Sequence, residues 1–133
     1  MHRLFLDANV MFSAAWRENA GLQALWKLKY VTLCSSRYAL EEARVNLTET
    51  AQLERLDRLS RKLELSDALA ERLPEGIRLP EKDAPILLAA IEAKATHLIT
   101  GDLRHFGMYF GRTIEGVMIV TPGEYLRNHG GTH

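Results

Sequence analysis

The chain has one cysteine, Cys34, among its 133 residues, so it cannot form an internal disulfide. It also lacks any apolar run near the roughly 20 residues that a membrane-spanning helix needs. Its first residues have no apolar signal-peptide core and reach an acid at Asp7. These absences exclude a disulfide-stabilised scaffold and a helical membrane protein, and we expect a cytoplasmic protein with no membrane partner.

The chain also has no net charge, because 17 Lys and Arg residues balance 17 Asp and Glu residues. A neutral total argues against a protein that coats DNA nonspecifically, but it permits an acidic site with basic residues placed elsewhere to hold phosphates. The length and the 47% of hydrophobic residues suit one globular domain. We predict a single domain over residues 1–127 and a short, flexible tail over residues 128–133.

Four short apolar runs are typical of buried strands, at residues 3–6, 31–34, 96–100 and 116–120. Amphipathic or capped patterns between them predict helices, at residues 10–29 (with Gly21 as a break), 38–47, 53–63, 65–73 and 84–95. Strands that alternate with helices predict a parallel sheet covered on both faces. In such sheets the functional crevice lies beyond the carboxyl ends of the strands.

Acidic residues occur at the positions that this topology would place at the crevice. Asp7 and Asp102 directly follow the first and third strands, and Asp83 begins the helix that leads to the third strand. Glu41 and Glu42 lie in the helix after the second strand. We therefore expect four segments that are far apart in the sequence to bring acids to one edge of the sheet.

This arrangement favours a metal site. Closely placed carboxylates repel one another unless a cation neutralises them, and hard cations such as Mg²⁺ and Mn²⁺ prefer oxygen ligands. No cluster of His or Cys residues indicates zinc instead. Each acid also has a simpler interpretation: the aspartates could be turn formers or helix caps, and the glutamates a solvated helix face, with Glu41 paired to Arg37 or Arg44.

Several segments resemble the motifs of PIN domains. LFLDANV at residues 4–10 resembles the opening motif, and DAPILLAAI at residues 83–91 resembles the third acidic motif. THLITGDLRHF at residues 96–106 resembles the last motif, and residues 35–47 resemble the helix that carries the second acid. The resemblance covers nearly the whole chain in order. It implies a three-layer α/β/α PIN-like fold with a central, mainly parallel sheet of about four to five strands.

The resemblance also implies a Mg²⁺- or Mn²⁺-dependent ribonuclease with RNA as its substrate. Asp7, Asp83 and Asp102 match the acids of the family, and Glu42 or Glu41 matches the second acid, of which we choose Glu42. Asp7, Glu42, Asp83 and Asp102 are thus the expected catalytic and metal-binding residues. Stand-alone prokaryotic PIN proteins of this size are often VapC-like toxins, which implies a small antitoxin protein as a partner and a homodimer.

Four further polar residues have two interpretations each. Asn9 and Thr100 resemble residues that hold the carboxylates or water by hydrogen bonds, or else they form local turn bonds. Arg104 and His105 are expected to meet the RNA backbone near the metal, or else they lie in a solvated loop. No further acid stands just after Asp102, so the choice between one and two metal ions stays open.

Two other classes of function compete with a nuclease. One is a catalytically silent PIN-fold module that binds RNA or regulates a partner, and the complete set of acids argues against it. The other is a phosphatase-like enzyme with Asp7 as the nucleophile. Asn9 stands where such enzymes usually have a second aspartate, which disfavours this interpretation.

Overall fold

A six-stranded sheet forms the centre of the structure. The computed structural model describes residues 1–130. Its strands are β1 (His2–Leu6), β2 (Val31–Ser35), β3 (Glu64–Leu65), β4 (His97–Ile99), β5 (Thr113–Ile114) and β6 (Val117–Val120). Their order across the sheet is β3-β2-β1-β4-β6-β5, and every neighbouring pair is parallel except β5 with β6. The first strand therefore lies at the centre, next to a strand from the last third of the chain.

Helices connect these strands. They are α1 (Ala8–Ala15), α2 (Arg37–Val45), α3 (Thr50–Ser60), α4 (Ala84–Glu92), α5 (Leu103–Phe106) and α6 (Pro122–His129), with 3₁₀ turns at Gly21–Lys27 and Gly107–Tyr109. None of the helices within residues 1–130 has the length and apolar character needed to cross a membrane.

The central strands are covered on both faces. Leu4, Phe5 and Leu6 of β1 are each 0% exposed, although consecutive residues of a strand point to opposite faces. Leu98 and Ile99 of β4 are buried in the same way. The predicted α/β fold with a mainly parallel sheet is thus confirmed. The sheet has six strands rather than about four to five, because β3 and β5 contain two residues each and leave no periodic signal.

Two helix predictions need correction. The helix predicted over residues 10–29 is interrupted, since α1 ends at Ala15 and a 3₁₀ helix follows only from Gly21. The helix predicted over residues 65–73 is wrong, because the chain is irregular there after β3. Asp67 in this segment accepts a hydrogen bond from the Tyr38 amide of α2 (3.0 Å).

The last helix, α6, lies beyond the predicted set. Thr121 is its N-cap and accepts a hydrogen bond from the Glu124 amide (3.1 Å), and Pro122 occupies the first turn. This is the usual pattern at a helix start. Residues 128 and 129 of the predicted tail belong to α6. Residues 131–133 of that tail lie outside the described residues.

Candidate active site

The carboxylate of Asp7 is buried where β1 passes into α1, with 4% of the residue exposed. Its Oδ1 accepts a hydrogen bond from the Ala8 amide (2.7 Å) at the start of the helix. Its Oδ2 accepts from Thr100 Oγ1 (2.8 Å) and from Asn9 Nδ2 (3.1 Å). Burial raises the pKa of Asp7 to about 6, even though the hydrogen bonds from Thr100 and Ala8 lower it. Asp7 is therefore fixed in position, and it favours a nearby positive charge.

Asn9 and Thr100 also tie the ends of β1 and β4 together. Asn9 Oδ1 accepts a hydrogen bond from the Gly101 amide (2.8 Å), and Thr100 Oγ1 accepts from the Asp102 amide (3.1 Å). A Cβ atom at Gly101 would lie 3.3 Å from Asn9 Oδ1, a tight contact that favours glycine. These bonds set the position of Asp7 relative to Asp102.

Asp83 occupies the N-cap position of α4, but its side chain makes no capping hydrogen bond. The residue is 7% exposed, and its Oδ2 has no aligned hydrogen-bond partner among residues 1–130. Burial is the main cause that raises the pKa of Asp83; His105 opposes it, and the charge of Asp102 adds to it. A buried carboxylate oxygen without a partner is costly, and a bound cation would relieve that cost.

His105 places a ring nitrogen beside both Asp83 and Asp102. Its Nδ1 lies 2.8 Å from Asp83 Oδ2 and 2.9 Å from Asp102 Oδ2, but it is aligned for a hydrogen bond with neither oxygen. Asp102 Oδ1 accepts a hydrogen bond from the His105 amide (3.0 Å) and so caps α5. One ligand atom of each of the three residues lies within 4.8 Å of the others. This distance would allow the three groups to share a cation.

Glu42 reaches the same region from α2. The four predicted acids line a cleft of about 410 Å³, together with Asn9, Asn46 and Lys82. Asn46 Nδ2 donates a hydrogen bond to the main-chain carbonyl of Glu42 (2.8 Å) rather than to its carboxylate. Glu41 lies outside the lining of this cleft, and its Oε2 is 3.5 Å from Arg44 Nε at the surface.

The structure thus brings Asp7, Glu42, Asp83 and Asp102 to one cleft. Arg104 is exposed and is not among the residues that line this cleft. The structure brings the second member of the expected RNA-contacting pair, His105, against two of the acids.

Sequence reasoning missed two features of the cleft. Lys82 lines it, and its only signal was its position directly before Asp83. His105 stands three residues after the N-cap Asp102, a spacing that puts the two side chains on one face of a helix. That spacing could have indicated their contact.

The ligands available in the cleft fit a hard divalent cation. Four carboxylates converge on it, and the Oδ2 atom of Asp83 is buried there without accepting a hydrogen bond from residues 1–130. Mg²⁺ and Mn²⁺ prefer such oxygen ligands, and their charge would offset both the burial and the mutual repulsion of the acids. Asp83 and Asp102 have the oxygens best placed to hold the ion, since the oxygens of Asp7 already accept hydrogen bonds.

The sequence matches a known domain family, and the fold is similar to those of solved proteins. Residues 3–104 match the sequence model of the PIN domain. No curated protein matches the chain. The fold is similar to that of VapBC2 from Rickettsia felis, which was solved bound to a DNA fragment from its promoter. The TM-score is 0.63, the sequence identity is 18%, and the match covers 90% of this chain and 98% of that chain. It is also similar to FitAB bound to an IR36 DNA fragment, with a TM-score of 0.55 and 15% identity over 90% of this chain and 94% of that chain.

Proposed function

Because this chain belongs to the PIN domain family of nucleases, we propose that it is a divalent-metal-dependent ribonuclease that hydrolyses phosphodiester bonds of RNA in the cytoplasm. The proposal rests on one observation, the cleft in which Asp7, Glu42, Asp83 and Asp102 come together. The cation is Mg²⁺ or Mn²⁺, because all four predicted ligands are carboxylates.

The side chains of the cleft have distinct parts in this reaction. Asp83, Asp102, Glu42 and Asp7 would hold the cation, which when bound activates a water molecule and stabilises charge on the phosphate. Thr100 and Asn9 orient the Asp7 carboxylate through their hydrogen bonds to Oδ2.

Two basic residues would bind the substrate. Lys82 lines the cleft, so its ammonium group can neutralise a phosphate that lies next to the acids. Arg104 is exposed on α5, two residues after Asp102, and would contact the RNA backbone outside the cleft. His105 contacts Asp83 and Asp102 and would hold these two acids close together.

The test compares three substrates with the same purified protein: single-stranded RNA, DNA of the same sequence and a phosphate monoester. Each is assayed with excess Mg²⁺, with excess Mn²⁺ and with EDTA. Asp83→Asn, purified in the same way, controls for contaminating nucleases, and Asp57→Asn, an exposed surface change, is the matched control. We expect cleavage of RNA that EDTA abolishes, that Asp83→Asn lacks and that Asp57→Asn keeps.

Other outcomes would replace this proposal. A folded protein that binds RNA and cleaves none of the substrates with either metal would be the silent PIN-fold module. Cleavage of the monoester alone would indicate a phosphatase-like enzyme. Full cleavage of RNA in EDTA would contradict the role of the metal.

We further propose that the nuclease is the toxin of a toxin–antitoxin pair, with a small antitoxin protein as its partner and a homodimer as its free form. The support is the similarity of its fold to VapBC2 and FitAB. Expression of the wild-type chain in a bacterial host should arrest growth, whereas expression of Asp83→Asn should not. Growth that continues with a soluble, active protein would contradict the toxin role, and light scattering decides the oligomeric state.

A further inference from the structure

Three histidines converge at the edge of the sheet opposite the acidic cleft. His2 is the first residue of β1, His97 is the first residue of β4, and His129 is the last residue of α6. Since β1 and β4 are parallel, their first residues lie at one edge and the acids that follow their last residues lie at the other. One ring nitrogen of each histidine lies within 4.8 Å of the other two. We propose that this histidine cluster binds a transition-metal cation of the Zn²⁺ class, separately from the nuclease site.

The three rings meet at a tilt or edge to face and are not stacked face to face. Their centroids are 4.6 Å apart for His2 and His97, 5.0 Å for His2 and His129, and 6.2 Å for His97 and His129. The planes of these pairs are inclined by 53°, 84° and 67°. Imidazole nitrogen suits zinc, copper and nickel, and three such ligands leave a fourth position of a tetrahedral site open.

The hydrogen bonds of the two strand histidines determine which ring nitrogen is free to bind a metal. His97 Nδ1 lies 2.8 Å from Thr96 Oγ1, and this hydroxyl already donates to the Arg3 carbonyl (3.0 Å). Thr96 must therefore accept from His97 Nδ1–H, which assigns the lone pair of His97 to Nε2. His2 Nδ1 lies 2.7 Å from the Tyr125 hydroxyl, so His2 would bind a metal through Nε2 in the tautomer whose Nδ1–H donates to Tyr125. Histidines that bind metals commonly have their other ring nitrogen held by such a hydrogen bond.

Two of the three imidazoles, those of His97 and His2, are held toward the neutral form. His97 is 8% exposed, and burial lowers its pKa to about 4. Burial also lowers the pKa of His2, and the charge of His129 adds to this effect. A neutral imidazole is the form that binds a metal.

A cavity of about 710 Å³ beside the cluster is lined in part by His2, Tyr125 and His129, and it gives the site access to solvent. Lys27 and Lys29 line the same cavity, and no acid does. Mg²⁺, which needs oxygen ligands, should therefore not bind there. The cluster would link α6 to β1 and β4, and two of its members, His2 and His129, lie outside residues 3–104 that match the PIN domain.

The experiment titrates Zn²⁺ into the full chain carrying His105→Gln, by calorimetry in excess Mg²⁺, and follows the melting temperature in parallel. This background removes the imidazole that could bind Zn²⁺ in the acidic cleft. On it, His129→Gln removes an exposed ligand with little risk to the fold, and His97→Gln removes the buried one. Asp57→Asn, an exposed surface change on the same background, is the matched control.

We expect one equivalent of Zn²⁺ to bind the His105→Gln protein, with or without Asp57→Asn, and to raise the melting temperature. Binding should be about tenfold weaker or lost when His129→Gln is added, on the scale of changes seen even in residues around metal ligands. Unchanged affinity after the addition of His129→Gln, or loss of binding after the addition of Asp57→Asn, would overturn the proposal. Because binding and melting are measured without RNA, neither result depends on the nuclease activity.

Discussion

At the scale of single residues, Asp7 is the clearest case of competing effects. Three hydrogen bonds to its carboxylate favour the charged form, yet burial outweighs them and leaves its pKa at about 6. Thr100 and Asn9 therefore hold Asp7 in position, but their hydrogen bonds do not fully offset the cost of burying its negative charge. A bound cation would offset the rest of this cost, which remains in the metal-free protein.

The first prediction concerns the pH dependence of the metal-free protein. The folded state raises the pKa of Asp7 from 3.8 to about 6, so it favours the protonated carboxyl. This stabilisation is fully present below about pH 4 and is lost as the pH rises through about 6, with a total of about 3 kcal/mol. The Asp7→Asn variant has no carboxyl at position 7 that could titrate. The free energy of unfolding of this variant in EDTA should therefore fall less than that of wild type over this pH range.

Urea unfolding at about pH 5 and about pH 7.5 measures the part of this loss that falls between these two values, about 1.4 kcal/mol, and the exposed Asp57→Asn provides the control. The comparison uses the change with pH within each protein, because Asn at position 7 also alters the hydrogen bonds to Thr100 and Asn9. An identical pH dependence in wild type and Asp7→Asn would show that Asp7 titrates normally. The same variant should have no nuclease activity.

The second prediction separates two neighbouring glutamates. Glu42→Gln should reduce RNA cleavage or metal affinity by about tenfold or more, because Glu42 lines the acidic cleft. Glu41→Gln should be nearly silent, because Glu41 forms an exposed ion pair with Arg44, and such pairs contribute at most about 1 kcal/mol. Cleavage rates over a Mg²⁺ titration distinguish weak binding from lost chemistry. If Glu41→Gln were the inactive variant, the assignment would be wrong by one residue.

At the scale of elements, the connection between β3 and α4 decides where Asp83 stands. This segment has no regular secondary structure, and side chains from distant elements hold its backbone. The Glu92 carboxylate accepts hydrogen bonds from the Leu69 and Ala70 amides (both 2.8 Å). The Tyr109 hydroxyl accepts from the Arg78 amide (2.8 Å) and donates to the carbonyl of the same residue (3.0 Å).

The third prediction tests this connection. Tyr109 is 2% exposed, so Tyr109→Phe leaves two backbone groups of Arg78 without partners and should cost about 1–3 kcal/mol. Tyr30→Phe is the matched control, because Tyr30 is 82% exposed. Chemical denaturation measures both variants. An unchanged midpoint in Tyr109→Phe would mean that water replaces the lost hydroxyl.

The same segment shows where sequence reasoning fails. The sequence predicts a helix over residues 65–73, but Leu69 there is 91% exposed, and Asp67 accepts a hydrogen bond from the Tyr38 amide of α2. Local periodicity cannot reveal that a distant side chain will satisfy the backbone, and here the tertiary contacts prevail. The long, strongly apolar strands were predictable because burial on both faces leaves continuous hydrophobic runs.

The acidic cleft was also predictable, because the positions of its acids follow from the order of the strands. Acids that follow parallel strands must share an edge, so topology alone brought Asp7 and Asp102 together. The histidine cluster joins the first residue of one strand, the first residue of another and the end of α6, which no motif spacing indicates. No His or Cys cluster is visible in the linear sequence, because these three histidines come from distant parts of the chain.

At the scale of the whole molecule, four separate segments supply the acids of one cleft, so binding of the proposed ion would be coupled to folding. The ion should bind the folded chain far better than the unfolded chain, in which the acids are far apart. The fourth prediction is that saturating Mg²⁺ raises the melting temperature of the wild-type protein, with a stabilisation of about 2.7 kcal/mol at 100 times the dissociation constant.

Asp83→Asn should largely lose this gain, because it removes a buried ligand, whereas Asp57→Asn should keep it. Differential scanning calorimetry with increasing Mg²⁺ measures the shift, with matched ionic strength as the control for screening. A shift of equal size in Asp83→Asn would place the stabilising ion elsewhere on the surface.

The pairing of β1 with β4 means that the four acids of the cleft come from two separable parts of the polypeptide. Thr100 holds Asp7 across 93 positions of sequence, and the exposed stretch at Glu75 and Gly76 lies between them. A cut there would leave Asp7 and Glu42 on one fragment and Asp83 and Asp102 on the other. If the proposed function is right, neither fragment alone would cleave RNA, and activity would return only when β4 reassociates with β1, so the two fragments would serve as a split reporter of association.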